Sequence, residues 1–361
     1  MKICVFCGER PRAKNREHVI PQWLIRLTGA PNRQIYVGRA WYKPTLPMRR
    51  FSFSQLVFPA CEECNTRSAE LERRAQAVMT RIMAREQLTN GDWDLFLDWL
   101  DKIRVGLWLG MLRLNNNYRD ISPRFFIDSR MGGKDRFVFV YEIQDDGQEG
   151  INWLGTETPL FEYTPSCFAL VVNNFLFLNA SFDFLFSKRF GFPYASHVEL
   201  GEGQERVTLE KGTGKTRLPL LQRSFTVGGT QLWQPIIPWR HLRPDGEGLA
   251  DVRGYYDTEF VRRHCLNFET GKGRIFSGGN QALAEYPAHR SISWVPPQRH
   301  PRDHIVYRSA LAAADLLELL FRERLSAAVA PEHRADFLAV AKSTLRLHRT
   351  ITNDMIRRAP R

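Results

Sequence analysis

Three short stretches near the N-terminus decide how this part of the chain folds: Cys4-Val5-Phe6-Cys7, Glu17-His18-Val19-Ile20-Pro21 and Cys61-Glu62-Glu63-Cys64-Asn65. The first and the third each contain a Cys-x-x-Cys pair. Two pairs with this spacing suit one tetrahedral Zn²⁺, because each pair offers two thiolates to the same ion. The sequence therefore predicts a structural zinc site formed by Cys4, Cys7, Cys61 and Cys64.

The stretch between the cysteine pairs carries groups suited to phosphodiester hydrolysis. The ordinary pKa of histidine, about 6.5, leaves His18 partly neutral at cellular pH, so that it can accept a proton from water. Mg²⁺ prefers hard oxygen ligands, and Glu17 offers a carboxylate and Asn65 an amide oxygen. We therefore expect His18 to act as a general base, with Glu17 and Asn65 binding a catalytic Mg²⁺ or another divalent ion such as Mn²⁺. The zinc would hold these residues together, because Asn65 directly follows Cys64.

The charge of the chain favours a polyanionic partner. The 361 residues carry a net charge of +12, and residues 1–80 hold 14 Lys and Arg against 6 Glu, a net charge of +8. A basic excess beside the candidate site indicates nucleic acid, with duplex DNA as the expected partner. Lysines and arginines that only solubilise the surface are the alternative.

Cysteine usage and hydropathy lead us to expect a cytoplasmic protein that does not enter a membrane. Four of the six cysteines have zinc spacing, and no signal peptide precedes the first pair. The longest apolar stretch, residues 168–186, is interrupted by Asn and Asp and is too polar to span a bilayer.

Hydrophobic periodicity predicts an α+β fold. Short strands are expected at residues 3–6, 34–38 and 51–58, and a helix that Asn65 caps is expected to run to about residue 85. Strand, strand and helix in this order form a ββα unit with the zinc site at its two ends. An apolar helix is expected at about 92–114.

The rest of the chain is predicted to contain a β-rich middle region and C-terminal helices. Strands are expected at 136–143, 167–172, 175–178, 206–209 and 216–220, with a tight hairpin at Asn173-Asn174, and helices at 304–329 and 331–358. The predicted domains are the N-terminal module 1–85, a linking helix 86–120, a β-rich domain of unknown role 121–303 and a helical hairpin 304–361. We expect residues 121–361 to provide any surface for protein partners.

The motifs resemble the HNH (ββα-metal) endonuclease family, in its zinc-knuckle branch. The matching stretches, which lie within residues 1–85, are Cys4-x-x-Cys7, Arg16-Glu17-His18-Val19-Ile20-Pro21 and Cys61-x-x-Cys64-Asn65. The resemblance implies a metal-dependent nuclease in which His18 is the general base, Glu17 and Asn65 bind the catalytic metal and the four cysteines bind structural zinc. Related bacterial proteins include the HNH component of some Zorya-type anti-phage systems, so the resemblance also suggests a role in phage defence.

The chain departs from the family pattern between His18 and the second cysteine pair. The asparagine that usually stands shortly before this pair has no match, because Leu56 occupies its place. Gln55 or Ser54 is the candidate to brace the His18 loop through the backbone instead. The separation between His18 and Cys61 also leaves room for an inserted hairpin.

Further candidate residues lie on the first long helix and in the inserted segment. Glu72 lies two turns after Asn65 on the same helix face, and it is either an additional metal ligand or a solvated, salt-bridging residue. The candidate nucleic-acid contacts are basic residues that alternate with aromatic ones: Arg33, Arg39, Lys43, Arg49 and Arg50. An ordinary hairpin with solvated arginines is the alternative.

Three functions are compatible with these motifs. The leading hypothesis is a Mg²⁺-dependent endonuclease that cleaves or nicks DNA. The second is a zinc-organised nucleic-acid-binding protein without catalysis, which the missing asparagine favours. The third is a ribonuclease that uses the same site.

Overall fold

The structure is a computed structural model, and it contains helices and sheet in the mixture expected for an α+β protein. The residues that it describes are 3–12, 15–37, 49–114, 123, 125–156, 161, 164–182, 185–201, 204–211, 228–236, 265–267, 269–278, 284–285, 294–320 and 331–358. Among these residues, no helix is long and apolar enough to cross a membrane.

The N-terminal part contains two antiparallel strands followed by a helix, but the paired strands are not the predicted ones. The sequence predicts no strand at 15–18, and the predicted strand at 51–58 is interrupted by a short 3-10 helix at Phe53–Gln55. Its elements are β1 (Asn15–His18), α1 (Gln22–Leu27), β2 (Gln34–Val37), β3 (Arg49–Ser52), β4 (Val57–Ala60) and α2 (Glu62–Met83). Strands β1 and β4 pair with His18 opposite Val57 and Asn15 opposite Ala60, and α2 follows β4 directly. The predicted inserted hairpin is confirmed, because β2 pairs with β3. The predicted strand at residues 3–6 is wrong: this segment is a turn closed by a hydrogen bond from the Cys4 N–H to the Glu9 carbonyl (2.8 Å).

Helix α3 (Asn90–Leu114) lies at the centre of the molecule. Thr89 and Asp92 cap its start, since the Thr89 N–H donates to the Asp92 carboxylate (2.7 Å) and the Asp92 N–H donates to the Thr89 hydroxyl (3.1 Å). Every residue from 99 to 112 is buried, so α3 contacts other parts of the chain around its whole circumference.

Two glycines let α3 approach the N-terminal part closely. A Cβ on Gly106 would lie 2.8 Å from Val19, and a Cβ on Gly110 would lie 2.5 Å from the Phe58 ring. Val19 directly follows His18, and Phe58 lies on β4 opposite Glu17. The packing of α3 therefore fixes the position of both strands.

A mixed sheet forms the middle of the chain. The remaining elements are α4 (Ile127–Arg130), β5 (Asp135–Ile143), β6 (Ile151–Leu154), β7 (Cys167–Val172), β8 (Phe175–Phe182), α5 (Leu185–Phe190), β9 (Pro193–Gly201), β10 (Gln204–Lys211), β11 (Thr230–Gln234), β12 (Cys265–Asn267), β13 (Lys272–Gly273), β14 (Phe276–Gly278), β15 (Ala284–Glu285), β16 (Arg299–His300), α6 (Arg302–Leu320) and α7 (Pro331–Arg358). The strand order is β15-β14-β11-β5-β8-β7-β6, and β16 pairs parallel with β5. The predicted Asn173 turn joins β7 to β8, and Asn173 has φ +49°, a conformation that Asn tolerates better than most residues. The predicted strand at 216–220 lies outside the described residues.

The sheet is covered on both faces, which explains why β5, β7 and β8 are buried at every position. Val138 and Val140 of β5 belong to a core that also contains α3 and residues of the N-terminal part. Their neighbours Phe137 and Phe139 point to the opposite face and pack in a core with α6 and α7. The predicted C-terminal helices are thus present: α6 begins at residue 302 rather than 304, and α7 begins at Pro331 as expected.

Buried charges join α3 to the sheet. Arg136 of β5 is fully buried; its guanidinium donates to the Asp94 carboxylate (2.8 Å) and forms an ion pair with Asp98. Arg104 and Asp101, one turn apart on α3, form a second buried pair (2.5 Å), and the Arg104 guanidinium also donates to the Asn179 side chain of β8. Because a charge in the interior needs a partner, these contacts fix the rotation of α3 against the sheet.

Candidate functional site

The four cysteines of the two pairs come together at the N-terminal end of α2. Their ligand atoms all lie within 4.8 Å of one another, and the Sγ atoms of Cys7 and Cys61 are 3.7 Å apart. Four sulfurs around one Zn²⁺ at the usual bond length of about 2.3 Å are separated by about 3.8 Å. The Cys61 N–H also donates to the Cys4 sulfur (3.3 Å). All four cysteines are free thiols, so the donor set fits one zinc ion.

The thiols of the cluster are difficult to ionise together. Burial and the neighbouring thiols raise the pKa of Cys61 to about 11 and that of Cys64 to about 12. Burial acts in the same direction on Cys4, but hydrogen bonds from the backbone outweigh it and lower its pKa. Without a cation the cluster cannot hold four thiolates, whereas Zn²⁺ would stabilise all of them.

The cluster holds the N-terminal loop, β4 and α2 together. The Val5 N–H donates to the Pro59 carbonyl (3.0 Å), one residue before the end of β4. Helix α2 begins at Glu62, and Cys61 is its N-cap residue with an extended backbone. The expectation that Asn65 caps this helix is therefore wrong. Asn65 lies in its first turn, where its N–H donates to the Cys61 carbonyl (3.0 Å).

Glu17 and His18 end β1 and point to opposite sides, as neighbouring strand residues do. Glu17 is buried, while His18 is half-buried. The side-chain nitrogen of Gln22 lies 3.0 Å from Nε2 of His18, and the Gln22 oxygen accepts a hydrogen bond from Arg26 (2.9 Å). The amide of Gln22 thus donates to Nε2, and the imidazole proton lies on Nδ1, which is buried without a hydrogen-bond partner among the described residues.

His18 is held in its neutral form. Burial lowers its pKa; the negative charge of Glu17 opposes this effect, and the positive charge of Lys102 reinforces it. A neutral imidazole with its lone pair at Nε2 can accept a proton near neutral pH.

Lys102 of α3 is the central residue that the sequence analysis missed. Its ammonium is fully buried, donates to the Glu17 carboxylate (2.5 Å), forms an ion pair with Glu72 and lies 3.4 Å from the His18 carbonyl. The available signal was a lysine in a helix predicted to be apolar around most of its circumference, because a buried lysine needs a carboxylate partner.

Glu72 is brought close to Glu17 by this lysine. The prediction that Glu72 forms a salt bridge is confirmed. The prediction that it is solvated is wrong, because only 18% of its side chain is exposed. Burial raises the pKa of Glu72 to about 7, and the ammonium of Lys102 opposes that rise. Asn65 lies about 10 Å before Glu72 along the axis of α2, on the same face. Its metal-binding role remains a prediction.

The structure locates some of the other residues that the sequence predicts for the site. Gln55 accepts a hydrogen bond from the Ser52 N–H (3.2 Å), so it braces its own turn and not the His18 loop. Arg33 donates to the Ile25 carbonyl (2.9 Å) and the Thr28 hydroxyl (2.7 Å), which fastens the end of α1 and argues against a nucleic-acid contact. Arg49 and Arg50 begin β3. Arg39 and Lys43 lie outside the described residues.

Comparison with known proteins finds no relative of this chain. No protein-family model, no curated protein and no solved structure matches the chain. The functional argument therefore rests on the residues and their geometry.

Proposed function

We propose that this chain is a metal-dependent endonuclease of the HNH type that cleaves or nicks DNA, with His18 as the general base. The observation that carries the proposal is the arrangement of β1, β4 and α2: β1 ends at Glu17 and His18 and pairs with β4, which leads into the four-cysteine cluster at the start of α2. The cluster thus connects the segment containing Asn65 to the strand pair that presents His18.

The properties of His18 support this role. Its pKa is lowered by burial, so the imidazole is ready to accept a proton without prior activation. The acceptor atom is Nε2, on the side of Gln22. A water molecule that replaces the Gln22 amide at Nε2 would lose its proton to His18, and its oxygen would bond to phosphorus as the P–O bond to the leaving oxygen breaks. The leaving oxygen would take its proton from solvent.

The carboxylates on the inner side of β1, opposite the imidazole of His18, have a charge that suits a divalent cation. When both are ionised, Glu17 and Glu72 carry two negative charges against the single charge of Lys102, so a net negative charge remains. In this proposal Glu17 and Asn65 would supply the hard oxygen ligands that Mg²⁺ prefers. Mg²⁺ bound there would supply charge neutralisation for the phosphate and the leaving oxygen.

One contact favours the second candidate function, a zinc-organised nucleic-acid-binding protein without catalysis. The ammonium of Lys102 already bonds to the Glu17 carboxylate, with an N–O distance of 2.5 Å. A carboxylate held in this way can serve the structure of the site without ever binding a metal.

Supercoiled plasmid separates the two candidates. Purified protein with Mg²⁺ or Mn²⁺ is expected to give open circles if it nicks and linear DNA if it makes paired cuts. His18→Ala should lower the cleavage rate by about 10²- to 10⁴-fold, the usual contribution of a general base. His333→Ala, at an exposed histidine of α7, is the matched control and should cleave like the wild type.

Two results would contradict the nuclease proposal. One is cleavage by His18→Ala at the wild-type rate, which would assign the activity elsewhere or to a contaminant. The other is wild-type protein that binds DNA and leaves it intact with every metal, which would favour the binding protein. A parallel lane with RNA tests the ribonuclease alternative.

A further inference from the structure

Four exposed arginines lie within residues 10–26, and no carboxylate of the described residues pairs with them. Arg10, Arg12 and Arg16 are exposed on the segment that leads from the first cysteine pair into β1, and Arg26 is exposed on α1. None of the four forms an ion pair with a carboxylate of the part of the chain that the structure describes. We call these four residues the arginine strip.

Many arginines outside this strip are neutralised. Ion pairs join Arg67 to Asp128, Arg73 to Glu70, Arg81 to Asp92, Arg85 and Arg299 to Glu142, Arg302 to Asp146, and Arg349 to Asp315. Within residues 9–26 the acids are Glu9 and Glu17, and Glu17 faces inward to Lys102. The four arginines therefore keep an uncompensated positive charge, and Arg16 carries part of it on the exposed side of β1.

The strip borders the imidazole on two sides. Arg16 and His18 are two residues apart on β1, so they lie on the same side of the strand, about 7 Å apart along it. Arg26 reaches the imidazole through Gln22, which contacts Nε2 of His18 (3.0 Å) and accepts a hydrogen bond from Arg26 (2.9 Å). One exposed cation therefore lies on the same side of β1 as His18, and a second contacts the side chain that bonds to Nε2.

We propose that the arginine strip binds consecutive phosphates of a nucleic-acid strand and thereby presents one phosphodiester to His18. The inference rests on the proposed function for the role of His18, but the binding itself does not require cleavage. Guanidinium groups pair with phosphates through two parallel hydrogen bonds, and a row of them matches a chain of regularly spaced charges.

A nucleic-acid strand fits the strip better than an anionic membrane surface. Peripheral membrane binding combines basic residues with exposed apolar side chains that enter the lipid. The large hydrophobic residues exposed in the described chain are Leu266, Val340 and Leu347, none of which belongs to this segment. The strip offers charge without an apolar anchor.

The test measures binding of a fluorescent DNA duplex by anisotropy over a range of salt concentrations. All proteins carry His18→Ala and no divalent metal is added, so that cleavage does not interfere. Arg16→Gln with Arg26→Gln should weaken binding by about tenfold or more for each lost charged hydrogen bond. The slope of log K against log salt should shrink by about two, because each phosphate contact contributes about one.

Arg10→Gln with Arg12→Gln should reduce the slope by a similar amount. The control is Arg346→Gln with Arg357→Gln, which removes two exposed charges from α7 and should leave affinity and slope near those of the parent. Circular dichroism of each variant confirms that it is folded.

The outcomes separate this inference from the proposed function. Binding that depends on the strip would support the inference even if the wild type cuts no plasmid. Three results would overturn it. The strip and control variants could lose affinity equally, the protein could fail to bind DNA at all, or binding that depends on the strip could occur with phosphatidylserine vesicles but not with DNA. If the wild type cleaves plasmid but the strip substitutions do not change DNA binding, the inference is refuted and the nuclease proposal is retained.

Discussion

Replacing Lys102 by methionine should destabilise the protein strongly and in a pH-dependent manner. The ammonium is completely buried and bonds to two carboxylates, Glu17 (2.5 Å) and Glu72. Methionine keeps most of the length and packing of the side chain but removes the charge. The two carboxylates would then face each other with only 8% and 18% of their side chains exposed.

The size of the effect follows from the loss of one partner in a buried ion pair. Such a loss costs about 3–5 kcal/mol, because the remaining charge stays in a region of low dielectric. We expect this reduction in the free energy of unfolding near pH 8, above the pKa of about 7 that Glu72 has beside Lys102. Urea denaturation followed by tryptophan fluorescence measures it, because Trp23 and Trp99 pack against each other with ring centroids 5.5 Å apart.

The pH dependence is the sharper part of the prediction. Burial raises the pKa of Glu72 from 4.5 to about 7 in the folded protein. Between these two values the folded state holds a proton that the unfolded state has released, so this residue's contribution to stability falls as pH rises through that window. Without Lys102 the folded pKa of Glu72 rises further and the window extends above 7. The loss of unfolding free energy in the variant should therefore be larger near pH 8 than near pH 6. The difference is up to about 1.4 kcal/mol for each unit by which the folded pKa of Glu72 rises.

Lys272→Met is the matched control. The Lys272 ammonium pairs with Asp98 (2.6 Å), but Asp98 also pairs with Arg136 and keeps that partner. This variant should lose only about 1 kcal/mol, with little change between the two pH values. Adding Glu72→Gln to Lys102→Met should restore part of the stability. Equal, pH-independent losses in both lysine variants would refute the reasoning.

Two further predictions concern the zinc site and the packing of α3. Cys7→Ser should lose most of the zinc that atomic absorption detects after dialysis. Cys265→Ser should keep its zinc, because Cys265 lies outside the cluster. Equal zinc contents in the two variants would exclude the four-cysteine site. Gly110→Ala should cost about 1–3 kcal/mol of stability, because its Cβ would lie 2.5 Å from Phe58, while Gly91→Ala, with its nearest neighbour at 3.7 Å, should be neutral or stabilising. A stable Gly110→Ala would contradict the close approach of α3.

The sequence predicts best those features that local chemistry determines. The cysteine cluster follows from spacing, because two residues between thiols place both within reach of one ion. The Asn173 turn follows from the tolerance of Asn for positive φ, and the start of α7 from Pro331. In each case the cause lies within a few residues of its effect.

The sequence fails where distant segments decide the outcome. Asn65 has the chemistry of an N-cap, but the second cysteine pair turns the chain earlier, so the helix begins at Glu62. Gln55 has the chemistry to brace a loop, but its nearest partner is its own turn at Ser52. These competing partners become visible only once β4 and the cluster are in place.

The contact of Lys102 with Glu17 changes which residues belong to the candidate site. Judged by its motifs, the site ends near residue 85, and the following helix is a linker. Lys102 nevertheless bonds to Glu17 and approaches the His18 carbonyl (3.4 Å), and α3 packs against Val19 through Gly106. The end of β1 is therefore positioned from two directions: by the cysteine cluster through β4, and by α3, which buried ion pairs fix to the sheet. Because these contacts converge on Glu17 and His18, the chemistry of the site depends on residues far beyond the motifs that reveal it.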